Sequence, residues 1–181
     1  MKFTETRLKK LYIIEPEPFV DERGVFFRTY CKEEFKKIGL NKDFVQINQS
    51  INSKKGTFRG LHYQIPPYGD TKLIRCISGR VLDILVDIRK GSITFLNYFA
   101  IEISEENKKM IFVPEGFAHG FMTLEDNSQL IYHHTAFYQP SFEAGINYND
   151  PKIKLELPIN IRVINKKDAD IPLIDNQFTG V

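Results

Sequence analysis

The amino-acid sequence predicts an all-β domain, built as a sandwich or a small barrel with a few short helices. Short apolar runs rich in Val, Ile, Phe and Tyr recur along the chain and are separated by Gly, Pro, Asn and Asp. The run RVLDILVDIR at 80–89 alternates with the two-residue period of a strand. Helical periodicity is limited to one short segment, which excludes a helical layer. The interior of such a barrel can hold a ligand as well as side chains.

The elements follow from local patterns in chain order. A helix is predicted over 31–38, because Cys31, Phe35 and Ile38 form an apolar stripe and Gly39 supplies a stop. FRGLHYQ at 58–64 and KLIRCISG at 72–79 then read as strands on either side of the turn-like IPPYGDT. A second short helical turn is expected near the C-terminus.

In the run at 80–89, alternation assigns every second side chain to the same face of the sheet. One face carries Leu82, Ile84, Val86 and Ile88, and the other carries Val81, Asp83, Leu85 and Asp87. Three further runs predict strands: KKMIFVP at 108–114, AHGFMTL at 118–124 and SQLIYHHTAFY at 128–138. These elements fit a single domain over residues 1–181.

The composition excludes several classes of function. The formal net charge is +2, from 25 basic and 23 acidic residues, which gives no electrostatic basis for a nucleic-acid or membrane surface. Cys31 and Cys76 form neither a disulfide framework nor a C-x-x-C pair. We therefore expect a cytoplasmic protein in a reducing compartment.

The four histidines do not form a recognisable metal-binding pattern. His62 is followed two residues later by Gln64, and no Glu follows within the next dozen residues. Two imidazoles and a neutral amide are a poor ligand set for a divalent ion, so we expect no metal. His133 and His134 are interpreted as structural or surface residues.

His62 can be a core histidine or a catalytic base. On an ideal strand Phe58, Gly60, His62 and Gln64 share a face, and Gly60 would leave room beside the imidazole. Lys72 opens the next strand, and Tyr132 and Tyr138 share one face of a later strand. Converging in a barrel, a His, a Lys and a Tyr would supply a base, an oxyanion stabiliser and an acid. The residues alone leave an enzyme site and a core arrangement equally open.

Several motifs together resemble the dTDP-4-dehydrorhamnose 3,5-epimerases and related nucleotide-sugar epimerases. They are FVDERGVF, FVQINQS, FRGLHYQ, KLIRCISGRVLDILVDIR, VPEGFAHGF, YNDP and NKKDADIPLI, and they span about Lys10 to Asp175. The resemblance implies a cupin-type jelly-roll barrel that needs no cofactor and acts on a nucleotide-diphospho-4-keto-6-deoxy sugar. It also implies a homodimer in which N-terminal strands are exchanged.

The resemblance also implies a role for each matching residue. His62 matches the base, Asp168 the carboxylate that orients it, Lys72 the cation that stabilises the enolate oxygen, and Tyr132 the acid on the opposite face. The remaining matches are to substrate-binding positions: Arg23, Arg59 and His119 near the phosphates, Phe26, Gln46 and Asn48 around the base, and Tyr138 near the sugar or base. Strict alternation places Arg59 on the face opposite His62, so this reading requires a bulge or a partner strand.

Two departures from the family pattern keep alternatives open. Arg28 stands where the family usually has Glu, and Tyr148 replaces the usual Trp. The leading expectation is 3,5-epimerisation of dTDP-4-dehydro-6-deoxy-D-glucose to dTDP-4-dehydro-L-rhamnose. The enzymatic alternatives are a C3-only epimerase, a 3,4-ketoisomerase, and an epimerase for a CDP- or GDP-linked sugar. The alternative from another class is a non-catalytic sugar-nucleotide binding module.

Overall fold

Two antiparallel sheets face each other in the computed structural model, which describes residues 1–181. The first sheet has six strands in the order β1-β2-β10-β7-β12-β5, and the second has five in the order β13-β6-β11-β8-β9. Strands that neighbour each other in space are mostly distant in sequence, which is the connectivity of a jelly roll. A separate hairpin, β3–β4, belongs to neither sheet. None of the helices is long and apolar enough to cross a membrane.

The elements have the following bounds. The strands are β1 (Lys2–Glu5), β2 (Tyr12–Glu15), β3 (Phe19–Asp21), β4 (Gly24–Phe26), β5 (Gln46–Asn52), β6 (Phe58–Gln64), β7 (Lys72–Ser78), β8 (Arg80–Asp87), β9 (Tyr98–Ser104), β10 (Met110–Val113), β11 (Phe117–Thr123), β12 (Ser128–His134) and β13 (Glu143–Gly145). The helices are α1 (Lys32–Lys36) and α2 (Lys166–Ala169), with one 3₁₀ turn at Pro140–Phe142.

Apolar side chains are buried in three layers, one between the sheets and one outside each sheet. Strand β8 shows how the alternation distributes them. Val81 and Leu85 point between the sheets, whereas Ile84 and Val86 point outward into a second cluster that the C-terminal segment covers. β8 is thus covered on both faces, and its side chains divide between the two faces as the alternation predicted.

Both predicted helices form, and the second one positions part of the site. Helix α1 begins after Cys31 and buries Phe35 completely, and Gly39 follows with φ of 98°. Asn165 precedes helix α2, and its side chain accepts a hydrogen bond from the backbone N–H of Asp168 at 2.6 Å. This N-terminal cap fixes the short helix and holds Asp168 against β6.

Candidate active site

A cavity of about 340 Å³ lies between the two sheets and opens to solvent. Its walls carry charged and hydroxyl-bearing side chains from both sheets, next to the apolar layer between them. Nine of the eleven residues predicted from the sequence line it: Gln46, Asn48, Arg59, His62, Lys72, His119, Tyr132, Tyr138 and Asp168. Arg23 and Phe26 do not.

His62 and Asp168 form a hydrogen-bonded pair on the wall made by the second sheet. The Nε2–H of His62 donates to Oδ1 of Asp168 at 2.8 Å, and the backbone N–H of Gly60 donates to Oδ2 at 3.0 Å. Burial by itself would raise the pKa of Asp168, but these hydrogen bonds outweigh burial and lower it. The ionised carboxylate keeps the proton on Nε2, so the lone pair of Nδ1 is available to accept a proton.

A bulge in β6 brings Arg59 and His62 to the same wall. On β11, His119 pairs with His62 and Phe121 pairs with Arg59, so β6 has one more residue than β11 between these two pairs. The bulge required by the resemblance is therefore present. The expectation that Phe58 shares a face with His62 is wrong, because Phe58 packs in the outer cluster beyond the bulge.

Gly60 lies within the bulge and permits a close backbone approach. Its φ is +124°, a conformation that favours glycine. A Cβ at this position would lie 2.5 Å from Cα of Gly120 and 2.9 Å from the carbonyl oxygen of His119. The space around Gly60 is thus filled by β11 rather than left open beside the imidazole, which corrects the sequence-based expectation.

Tyr132 lies on the opposite wall, which is made by the first sheet. Its hydroxyl is 3.0 Å from the hydroxyl of Ser50 on the neighbouring strand β5. Burial raises the pKa of Tyr132, against the weaker opposing effect of the Ser50 hydrogen bond. The phenol therefore keeps its proton at neutral pH. A ligand between the sheets would have His62 on one side and Tyr132 on the other.

Lys72 and His119 add one cationic and one imidazole group to the cavity. Burial lowers the pKa of Lys72, and the negative charges of Asp70 and Asp83 oppose that shift. The Nε2–H of His119 donates to Oδ1 of the fully buried Asp83 at 2.7 Å. Burial also lowers the pKa of His119, so its imidazole can act as a neutral hydrogen-bonding group.

Polar side chains line the cavity mouth. Tyr138 is half-exposed, and its hydroxyl donates to Glu143 at 2.7 Å. The side-chain oxygen of Gln46 accepts from the backbone N–H of Tyr138 at 3.1 Å, and its amide nitrogen donates to Asn48 at 3.2 Å. These contacts join β5 to the segment after β12 and hold an aromatic ring at the entrance.

Sequence reasoning missed His134, which lines the cavity. Its Nδ1–H donates to Asp70 at 2.6 Å, and its Nε2 is 3.4 Å from the side-chain nitrogen of Asn48. The bond to Asp70 agrees with the interpretation of His134 as a structural residue, and its place on the cavity wall was not predicted. The sequence did contain an indication of this position, because His134 is two residues from Tyr132 and therefore shares its strand face. His133 does point away from the cavity and packs on Phe44, with ring centroids 5.5 Å apart.

Arg23 and Phe26 lie on the β3–β4 hairpin, away from the cavity of their own chain. Arg23 forms an ion pair with Asp21 at 2.5 Å, and Phe26 is 77% exposed. Phe19 and Val20 on the same hairpin are 63% and 67% exposed. Phe19 pairs with Phe26, and Val20 pairs with Val25, which is 51% exposed. Since adjacent residues of a strand point to opposite faces, the hairpin exposes an apolar pair on each of its faces.

Comparisons with known proteins agree with the fold. The sequence matches the dTDP-4-dehydrorhamnose 3,5-epimerase family over residues 5–176. It is 43% identical to the dTDP-4-dehydrorhamnose 3,5-epimerase of Salmonella typhimurium, with 94% of each chain aligned. The crystal structure of the Elizabethkingia anophelis dTDP-4-dehydrorhamnose 3,5-epimerase superposes with a TM-score of 0.93 at 39% identity, covering 98% of each chain.

A third similar protein was solved with a ligand. The dTDP-6-deoxy-D-glucose-3,5-epimerase of Legionella pneumophila, in complex with dTDP-4-keto-L-rhamnose, superposes with a TM-score of 0.91 at 37% identity. The alignment covers 99% of this chain and 97% of that one.

Proposed function

We propose, since the chain belongs to the dTDP-4-dehydrorhamnose 3,5-epimerase family, that its cavity converts dTDP-4-dehydro-6-deoxy-D-glucose to dTDP-4-dehydro-L-rhamnose. The chain is thus an isomerase of the epimerase class. The 4-keto group acidifies the C3 and C5 protons of the sugar, because the resulting carbanion delocalises onto the carbonyl oxygen as an enolate. Inversion then requires a base on one face of the ring and a proton donor on the other.

His62 is the proposed base. Its Nδ1 accepts the proton from C3 or C5, and the negative charge moves to the C4 oxygen. Asp168 holds the imidazole in the required tautomer and stabilises the imidazolium that forms. Lys72 is the proposed cation that stabilises the enolate oxygen. Burial lowers its pKa, and the negative charges of Asp70 and Asp83 favour its protonated form.

Tyr132 is the proposed acid. It transfers its proton to the enolate carbon from the wall opposite His62. The placement of these two groups on facing sheets is the single observation that carries the proposal, because two groups on the same wall could exchange a proton without inverting the carbon. No redox or metal step is needed, since the substrate itself carries the electron-withdrawing carbonyl.

The other predicted residues are assigned to binding. Arg59, with its planar guanidinium, and His119 are the proposed ligands of the diphosphate. Gln46, Asn48 and Tyr138 are proposed to contact the nucleoside or sugar at the cavity mouth. Both cysteines are free thiols, which supports a reducing, cytoplasmic setting for this activity.

The nucleotide preference tests this assignment. Given equal concentrations of the dTDP-, CDP- and GDP-linked 4-keto-6-deoxyglucose, we expect NMR of the sugar protons to show preferential conversion of the dTDP form. If a mismatched base were bound, the hydrogen-bonding side chains at the cavity mouth would be left without partners, which disfavours that substrate. Conversion of all three at equal rates would contradict recognition of thymidine, and preference for CDP or GDP would reassign the nucleotide.

The protein is proposed to act as a homodimer, in which a second copy brings the β3–β4 hairpin to the cavity. The hairpin exposes the pair Phe19 and Phe26 on one face and the pair Val20 and Val25 on the other, and an element exposed and apolar on both faces is typical of an interface. Dimer formation would cover these side chains and supply Arg23 and Phe26, which the cavity of a single chain lacks.

Light scattering at micromolar concentration should therefore give about twice the chain mass of 21.1 kDa. Phe26→Asp, which places a charge on an apolar face of the hairpin, should shift the mass toward that of one chain. Ile93→Asp is the matched control, because Ile93 is 94% exposed on a loop outside the hairpin. A single-chain mass for the unmodified protein would rule out this assembly.

A further inference from the structure

A chain of hydrogen bonds runs along the cavity wall and ends at the hydroxyl of Tyr132. The Nε–H of Arg59 donates to Oδ1 of Asn52 at 2.8 Å, and Nδ2 of Asn52 donates to Oγ of Ser50 at 3.3 Å. The Ser50 and Tyr132 hydroxyls are 3.0 Å apart. Asn52, the middle member, is only 2% exposed, whereas the other three side chains reach the cavity.

The orientation of the Asn52 amide is fixed by its neighbours. Its nitrogen also donates to the backbone carbonyl of Ser128 at 3.1 Å. Rotating the amide by half a turn would place that nitrogen against the Nε–H of Arg59, and the amide oxygen against the Ser128 carbonyl. Both contacts would then be repulsive. Asn52 therefore accepts from Arg59 and donates to Ser50.

The first two hydrogen bonds leave one favourable arrangement for the last. Ser50 already accepts from Asn52, and its other polar partner in the protein is Tyr132, at 3.0 Å. A hydroxyl has a single hydrogen, and among the groups of the protein the acceptor within reach of the Ser50 hydrogen is Oη of Tyr132. When Ser50 donates to Oη, the hydrogen of Tyr132 is free to point into the cavity that both residues line.

We propose that Ser50 is a positioning residue for Tyr132: it turns the hydrogen of the phenol toward the substrate and stabilises the phenolate left after proton transfer. The inference rests on the proposed function, in which Tyr132 is the acid. When the O–H bond of Tyr132 breaks, its proton goes to the enolate carbon and its electron pair stays on Oη. The hydrogen bond from Ser50 then becomes charge-assisted and about twice as strong as a neutral one.

The same chain couples substrate binding to the acid. Arg59 uses Nε for Asn52, which leaves its two terminal nitrogens for ligand oxygens. A ligand that fixes the guanidinium would also fix Asn52 and Ser50, and hence the direction of the Tyr132 hydrogen. Ser50 thus acts through Tyr132, although it also lines the cavity.

The test measures two rates in deuterium oxide with dTDP-4-dehydro-6-deoxy-D-glucose: exchange of the C3 and C5 protons, and inversion at these carbons. In Ser50→Ala, exchange should stay near the unmodified rate, because His62 and Lys72 are intact. The ratio of inversion to exchange should fall roughly 10- to 100-fold, the range expected for loss of one hydrogen bond to a charged group. Ser50→Thr keeps a hydroxyl and should restore the ratio.

Two further variants make the result specific. Ser53→Ala removes a hydroxyl from an exposed position just after the same strand, and it should change neither rate. Tyr132→Phe, measured in parallel, reports on the proposed function by itself.

An unchanged ratio in Ser50→Ala, together with lost inversion in Tyr132→Phe, would overturn the role of Ser50 and leave the proposed function standing. An equal fall of both rates in Ser50→Ala would also overturn it, since that result indicates a purely structural role. Inversion at the unmodified rate in Tyr132→Phe would instead remove Tyr132 as the acid, and the role of Ser50 with it.

Discussion

Replacing His62 with alanine is expected to lower proton exchange at C3 and C5 by roughly 10²–10⁴-fold, the usual contribution of a general base. The imidazole is the group that removes each proton, and Asp168 serves only to orient and stabilise it. Exchange and inversion should fall together, because no enolate forms without the base. The measurement is the loss of the C3 and C5 proton signals of the substrate in deuterium oxide, followed by NMR.

Asp168→Asn should show a similarly severe loss. An amide in this position can turn its N–H₂ group toward Nε2 and hold the imidazole in the wrong tautomer, and it cannot stabilise an imidazolium. His133→Ala is the matched control. It removes an imidazole that is next to Tyr132 and His134 in sequence but points away from the cavity. Full exchange activity in His62→Ala would show that another group, such as His119 or His134, is the base.

Replacing Tyr132 with phenylalanine should separate exchange from inversion. His62 and Lys72 remain able to form the enolate, so deuterium should still enter the substrate at a rate within about tenfold of normal. Inversion should fall by at least roughly 10²-fold, because the proton donor on the far wall is missing. The enolate is then reprotonated by His62 on the face from which the proton came.

Tyr12→Phe is a suitable control for this experiment, because Tyr12 packs on Phe112 outside the cavity and its hydroxyl forms no hydrogen bond with the protein. If Tyr132→Phe inverted both centres normally, Tyr138 would be the next candidate for the acid, since it lines the same cavity. Complete loss of exchange as well as inversion in Tyr132→Phe would indicate a role in folding or binding.

Local patterns were sufficient to predict the central strands. The side chains of β8 alternate between two different apolar layers, so the two-residue period assigned each of them to a face, and Lys72 and Tyr132 could be placed from the same period. β9, at 98–104, was not predicted. It is the edge strand of its sheet and only partly buried along most of its length, so its apolar residues lack a sharp pattern.

The site required information that a strand pattern does not contain. The bulge at Gly60 depends on the approach of β11 from elsewhere in the chain, and it decides which residues of β6 face the cavity. Asp168 reaches His62 across 106 residues of sequence, which only the fold brings together. The resemblance to a known family, rather than the residue pattern, supplied that pairing.

The two departures from the family pattern lie outside the catalytic walls. Tyr148 packs on Phe58 in the outer cluster, with ring centroids 5.2 Å apart, so an aromatic ring still fills that position. Arg28 forms an exposed ion pair with Glu34 at 2.9 Å. Neither side chain lines the cavity that holds His62 and Tyr132.

The position of deuterium in the product tests the central claim, proton transfer between two opposite walls at two carbons. The unmodified protein is incubated with dTDP-4-dehydro-6-deoxy-D-glucose in deuterium oxide, and the product is analysed by NMR. The expected result is dTDP-4-dehydro-L-rhamnose with deuterium at both C3 and C5 and both centres inverted. Deuterium and inversion at C3 alone would contradict the account in favour of a C3 epimerase, and no exchange at either carbon would leave only a binding protein.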